Sequence, residues 1–193
     1  FILKYNASLS KFPIFNFEKN NFIFIHINKC AGTSILNFFK RKKLHLTSSE
    51  IIKIVGANSF SKCIKFCVVR NPYDRVISHY FHRIKTNRLR PEVDINEWIH
   101  DLYDCGGKRI YKTGKDKMFK TQLFWLKNNN KINVDHVLKF ENLDVDFKKF
   151  CNKCNVKYKK LPHSNSSNRF NVRLNKHSID LINLTFHEDF QNF

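Results

Sequence analysis

A chain of 193 residues suits one domain with a substantial core. Hydrophobic residues make up 42% of it, while Gly (5) and Pro (4) are scarce, which argues against long flexible linkers. The net charge of +19, from 35 Lys and Arg against 16 Asp and Glu, calls for an anionic partner: a nucleotide, nucleic acid, an acidic glycan or an acidic membrane surface.

Residues 1–21 read as an irregular lead-in and residues 22–193 as a single domain. Residues 22–27, FIFIHI, are apolar nearly throughout, as a buried parallel strand is. A short loop follows, then a helix over 33–41 with Ile35, Leu36, Phe38 and Phe39 facing inward. Thr47 with Glu50 three residues later is a capping-box pattern, and it starts a helix through Val55. IKFCVV, residues 64–69, is a second buried strand. Arg70-Asn71-Pro72 ends it, and Pro72 suits the first turn of a helix reaching about Lys85. A basic loop over 85–91 and short helices over 95–103 and 120–126 lead to a third strand, 134–140. Helices over 143–154 and 176–186 flank a polar loop, 162–168. Strands alternating with helices imply an α/β fold whose central parallel sheet is flanked by helices on both faces. Ligands of such sheets bind beyond the carboxyl ends of the strands. Two chemically loaded loops, 28–34 and 70–75, follow directly on strands. If those strands are neighbours, both loops open onto one crevice.

The first loop, NKCAGTS, holds Lys, Gly, Thr and Ser between a strand and a helix, as phosphate sites do. It is not a Walker A loop: Lys29 comes four positions before Thr33, and no Gly opens it. The backbone N–H groups of Gly32, Thr33 and Ser34 are the unpaired donors of a helix start, with the positive end of its dipole behind them. Gly32 lets the backbone approach an anion closely, Thr33 and Ser34 add hydroxyls, and Lys29 adds a full charge. An ordinary capped helix start accounts for Thr33 but not for the Lys and Gly together. In the second loop, Arg70 at the strand end suits bidentate contact with a phosphate. Ser78, about two helical turns on, reaches the same anion only if the chain bends back at Pro72. Asp74 and Arg75 read as a local pair bracing the turn; a surface salt-bridge cluster is the plainer alternative.

Taken together, HINKCAGTS and RNPYDRVISHY resemble the 5′-phosphosulfate loop and the 3′-phosphate motif of sulfotransferases that use 3′-phosphoadenosine 5′-phosphosulfate (PAPS). The family pattern is HIPK, then Thr or Ser, then Ala or Gly, then GTS; the second motif is RNPYDRxxSxY. The likeness continues in HLTSSEI, in Gln122 before FWL, in VDHVLKFENL and in LPHSNSS, in family order over roughly 22–193. The Golgi carbohydrate type and its bacterial and viral relatives are the most similar. The resemblance implies a P-loop-like three-layer fold and sulfuryl transfer from PAPS to a hydroxyl, on a glycan that the charge allows to be acidic, releasing adenosine 3′,5′-bisphosphate. It implies that Lys29 contacts the 5′-phosphate and the bridging oxygen. Residues 29–34 (Lys29, Cys30, Ala31, Gly32, Thr33 and Ser34) would cradle the phosphosulfate, and Arg70 and Ser78 would hold the 3′-phosphate. Asn28 replaces the usual Pro, and Cys30 stands where Thr or Ser is common, which removes a hydroxyl but leaves its N–H.

The acceptor hydroxyl needs a general base. His45, which opens HLTSSEI, is the expected base or acceptor-site residue; a His packed near a helix start is the alternative. Glu50 competes, although capping suits it better. His26 belongs to the family pattern and reads as structural. His79 and His82, three apart on one helix, lack a third metal ligand, and transfer requires no metal because Lys29 and the loop amides supply the positive field. His163, Asn165 and Ser166 fit either a loop closing over the nucleotide or a plain polar turn. Six Cys, including the CxxC of Cys151 and Cys154, show no second ligand pair for zinc and read as reduced, structural thiols. Sequon matches at Asn6, Asn165 and Asn183 arise easily by chance in an Asn-rich chain. No apolar run reaches the roughly 18 residues of a membrane span, and a chain beginning at Phe1 reads as a fragment or a processed form. Other classes fit less well: a nucleotide kinase would need the Walker order and a Mg²⁺-binding Asp, and a nucleic-acid-binding module would need basic–aromatic stacking patterns.

Overall fold

The computed structural model describes residues 13–104, 116–129, 131–161 and 172–193. His163, Asn165, Ser166, Cys105, Asn6 and most of the 105–117 loop lie outside the described residues. In chain order the elements are β1 (Ile14–Phe17), β2 (Asn20–Ile25), α1 (Gly32–Phe38), α2 (Ser48–Val55), α3 (Ala57–Ser61), β3 (Ile64–Val69), α4 (Pro72–Lys85) and α5 (Ile95–Tyr103). A 3₁₀ turn at Asp116–Phe119 precedes α6 (Gln122–Leu126), a small hairpin β4 (Lys127–Asn128) and β5 (Lys131–Ile132), and β6 (His136–Lys139). The chain ends in α7 (Leu143–Lys153), α8 (Lys176–Thr185) and α9 (His187–Asn192).

The described residues fall into two compact units, the first within Phe1–Val69 and Gln122–Ser164, the second within Arg70–Thr121 and Asn165–Phe193.

In the first unit, a four-stranded sheet runs β1-β2-β3-β6 among the described residues. β2, β3 and β6 are parallel, with Ile25 opposite Cys67 and Val69 opposite Lys139. β1 is an antiparallel edge strand, so the irregular lead-in expected for residues 1–21 does not hold from Ile14 onward. Glu18 takes a left-handed φ of 54° at the reversal and lets so short a segment fold back. The four residues of β1 bury Phe15 and expose Asn16, an alternation too brief to stand out in sequence. Aromatic rings fix the helices to the sheet. Phe22 and Phe66, on adjacent strands, pack against Phe39 just beyond α1 and Phe150 of α7, with centroids 4.6–5.9 Å apart. Phe38 of α1 meets Phe147 of α7 edge-on at 4.8 Å. The result is the expected mixed α/β architecture, a central parallel sheet flanked by helices.

The capping box at α2 has both its bonds: Thr47 Oγ1 accepts from Glu50 N at 3.2 Å, and Glu50 Oε2 accepts from Thr47 N at 2.8 Å. The carboxylate of Glu50 thus serves the helix start, as its spacing suggests.

The second unit is helical among its described residues. Val76 and Tyr80 of α4, Trp98 and Ile99 of α5, Phe119, Ile182 of α8 and Phe186 form its buried core. Asn71 caps α4 through Tyr73 N at 3.0 Å with Pro72 in the first turn, and Asp94 caps α5 through Asn96 N at 2.8 Å. Asn183, in one of the sequon matches, lies on α8 and accepts from the Tyr73 hydroxyl. No helix among the described residues is long and apolar enough to cross a membrane.

Candidate functional site

β2 and β3 are parallel neighbours, so their carboxyl ends lie at one edge of the sheet. The chain leaving β2 there does not simply bend into α1. Lys29 has φ 65° and Ala31 has φ 54°, both left-handed, while Cys30 between them and Gly32 after them do not have positive φ. Alternating signs of φ of this kind are the pattern of a nest, in which successive N–H groups turn toward one concavity, the geometry that binds phosphates in P-loops. Ala31 occupies the cap position of α1 and makes no side-chain cap bond. Thr33 therefore lies inside the helix and is not its cap. Lys29, Thr33 and Ser34 are half-buried around this turn.

Cys30 points away from the nest. It is fully buried, with Sγ 3.4 Å from Oε1 of Gln122 on α6 and 3.5 Å from the carbonyl of Asn28. A hydroxyl there would face the same interior, so the departure from Thr or Ser takes no donor from the loop's concave side. Burial, with Cys30 as a neighbour, raises the pKa of the Cys67 thiol. Burial likewise pushes Cys151 up to about 12, with Cys154 adding to it. The described cysteines form no disulfide and are buried, and burial raises the pKa of Cys63 and Cys154 as well.

Gly32 has a role that the sequence reading did not give it. It is buried at the start of α1, and a β-carbon there would stand 1.8 Å from Nε2 and 2.1 Å from Cδ2 of His26. The imidazole ring of His26 fills the place of a side chain at position 32. His26 itself is 5% exposed, and its Nδ1 has no hydrogen-bond partner among the described residues. Its pKa is lowered to about 3, first by burial and then by His45 and Lys43, so the ring is neutral at physiological pH.

His45 stacks on His26, with centroids 4.1 Å apart and planes 29° apart, and meets Trp125 edge-on at 6.3 Å. Its Nδ1 lies 3.3 Å from the backbone carbonyl of His26. A carbonyl only accepts, so Nδ1 carries the hydrogen in this contact, and the neutral form of such a tautomer has its lone pair on Nε2. The fold thus gathers the 29–34 loop, His26 and His45 into one cluster within the first unit.

In the second unit, Arg70 is 8% exposed directly after β3, and Ser78 is half-buried on the second turn of α4. Arg75 is not a surface cation. It is 1% exposed, donates to the carbonyls of Lys120 at 3.0 Å and Met118 at 3.2 Å, and lies 6.0 Å from the ring centroid of Phe186. His79 is buried against Phe119 while His82 is exposed, so this pair does not converge.

A sequence profile described as the sulfotransferase family matches residues 13–193. The chain belongs to the sulfotransferase family. No curated protein matches it closely enough to be counted as a relative. As a member of this family it is a transferase that carries out sulfuryl transfer, and the two quoted motifs lie within the matched span.

Proposed function

We propose that this sulfotransferase moves a sulfuryl group from PAPS to a hydroxyl of a carbohydrate, acidic glycans being the acceptors that its charge favours. The observation that carries the reading is the nest at Lys29–Gly32, an uncapped helix start with a lysine beside it. That is a site for a strongly anionic group held by backbone amides. The family profile spans residues of both units, which supports reading 22–193 as one catalytic domain.

In this reading Lys29 neutralises charge building on the oxygen that bridges sulfur and the 5′-phosphate. The N–H groups of residues 30–34 and the hydroxyls of Thr33 and Ser34 hold the phosphosulfate. Arg70 and Ser78 hold the 3′-phosphate. The acceptor oxygen bonds to sulfur as the bond to the bridging oxygen breaks, and the acceptor's proton passes to Nε2 of His45, whose tautomer leaves that nitrogen able to take it. Positioning and fixed charge supply the rate.

Adenosine 3′,5′-bisphosphate should raise the melting temperature of the protein well above any effect of ATP at equal concentration. Equal shifts would overturn the roles of Arg70 and Ser78. Lys29→Ala should abolish transfer with the fold intact, and retained turnover would refute its role. His45→Ala should lose rate at unchanged donor affinity, and near-normal turnover would remove it as the base.

A further inference from the structure

We propose that His100, Asp104 and His177 form a binding site for a divalent late-transition-metal ion, zinc above all, which ties α5 to α8. The three offer one ligand atom each, and these atoms all lie within 4.8 Å of one another. Nε2 of His100 is 3.0 Å from Oδ2 of Asp104, and the rings of His100 and His177 are 5.1 Å apart at 45°. His100 of α5 and Asp104, the residue that caps its C-terminus, are four apart and in contact. His177 arrives from the first turn of α8.

The approach of the two helices is built in. Asn96 of α5 donates through Nδ2 to the carbonyl of Arg173 at 3.3 Å and accepts at Oδ1 from the N–H of Asn175, the cap of α8, at 2.9 Å. Ile99 and Ile182 belong to the core of the same unit. His177 is therefore held beside His100 by contacts that do not involve the three ligands. Tetrahedral zinc bonded at about 2.0–2.1 Å sets its ligand atoms roughly 3.4 Å apart. The trio is within a side-chain rotation of that spacing. Two imidazoles and one carboxylate suit zinc, nickel or copper and not magnesium or calcium. His100 and Asp104 are 46% and 52% exposed, which gives an ion a direct way in and leaves its fourth position to water. The pair on α5 is visible in sequence as His-x-x-x-Asp; the third ligand is visible only once the helices are packed.

Such an ion braces the helices, so stability and stoichiometry are the readouts. The chelator-stripped full chain should melt at a higher temperature with Zn²⁺ but not with Mg²⁺. One equivalent of zinc should be lost, or its affinity fall at least tenfold, in both His100→Ala and His177→Ala, but not in His82→Ala, which removes an exposed histidine elsewhere. His177→Gln, gentler to the helix start, should lose it as well. Zinc that does not raise the melting temperature overturns the proposal, and so does unchanged binding in either His177 variant, which would place the ion elsewhere.

Discussion

His26 and Gly32 are a matched pair: the imidazole lies where any side chain at position 32 would have to go, with Nε2 1.8 Å from the β-carbon position. Gly32→Ala should therefore destabilise the protein by about 1–3 kcal/mol, the usual cost of overpacking a core. Combining it with His26→Ala frees the space, so the double variant should be more stable than the sum of the two single effects predicts, by about 1 kcal/mol or more. Urea unfolding of the four proteins checks this. Additive effects would mean that the ring and the glycine are not coupled.

The neutral state of His26 sets a pH dependence. Its pKa is about 3 in the folded chain and ordinarily about 6.5 in an unfolded one. Between these values the unfolded chain binds a proton that the folded chain does not. Stability contributed here is full above about pH 6.5 and declines as pH falls toward 3, by up to ~1.4 kcal/mol per pH unit. Urea midpoints should drop between pH 7 and pH 5, and His26→Asn should flatten that drop. An unchanged slope in the variant would reject His26 as the source.

Cys30→Ser should leave donor affinity within about threefold, well inside the tenfold that 1.4 kcal/mol represents, because the side chain faces Gln122 and the Asn28 carbonyl. Titration with adenosine 3′,5′-bisphosphate reads it. A gain of tenfold or more would show that a hydroxyl at this position reaches the ligand.

Arg75→Ala should cost about 2–4 kcal/mol, because two carbonyls lose a charged donor inside the second unit. Arg75→Lys should recover only part, since an ammonium lacks the planar fork. A loss under 0.5 kcal/mol in chemical denaturation would fit the surface pair with Asp74 that the sequence invites.

What could be read in advance follows from how local each signal is. The bounds of β3 and α4 match expectation because Pro72 and the Asn71 cap are hard punctuation, and the capping box at Thr47 is complete within four residues. The strand–loop–helix order around 28–34 was legible for the same reason, since the three are contiguous. α3, the β4–β5 hairpin and β1 went unread because two to five residues carry too little pattern. The burial of Arg75 went unread because two carbonyls it serves sit 43 and 45 residues away, which no charge pattern reveals. Gly32 was assigned to the anion alone because its packing partner is His26, just past the end of β2 and six residues away.

Lys29 and Ala31 hold left-handed backbone although neither is glycine. Each such residue is disfavoured by roughly 1–2 kcal/mol on its own and persists only while its surroundings enforce it. Here the enforcement comes from the side chains that anchor the turn, Ile27, Cys30 and Ile35, all fully buried. On the proposed reading, anion affinity becomes a gauge of how tightly the interior grips the loop. Loosen those anchors, and the amides lose their common aim while the rest of the sheet still stands.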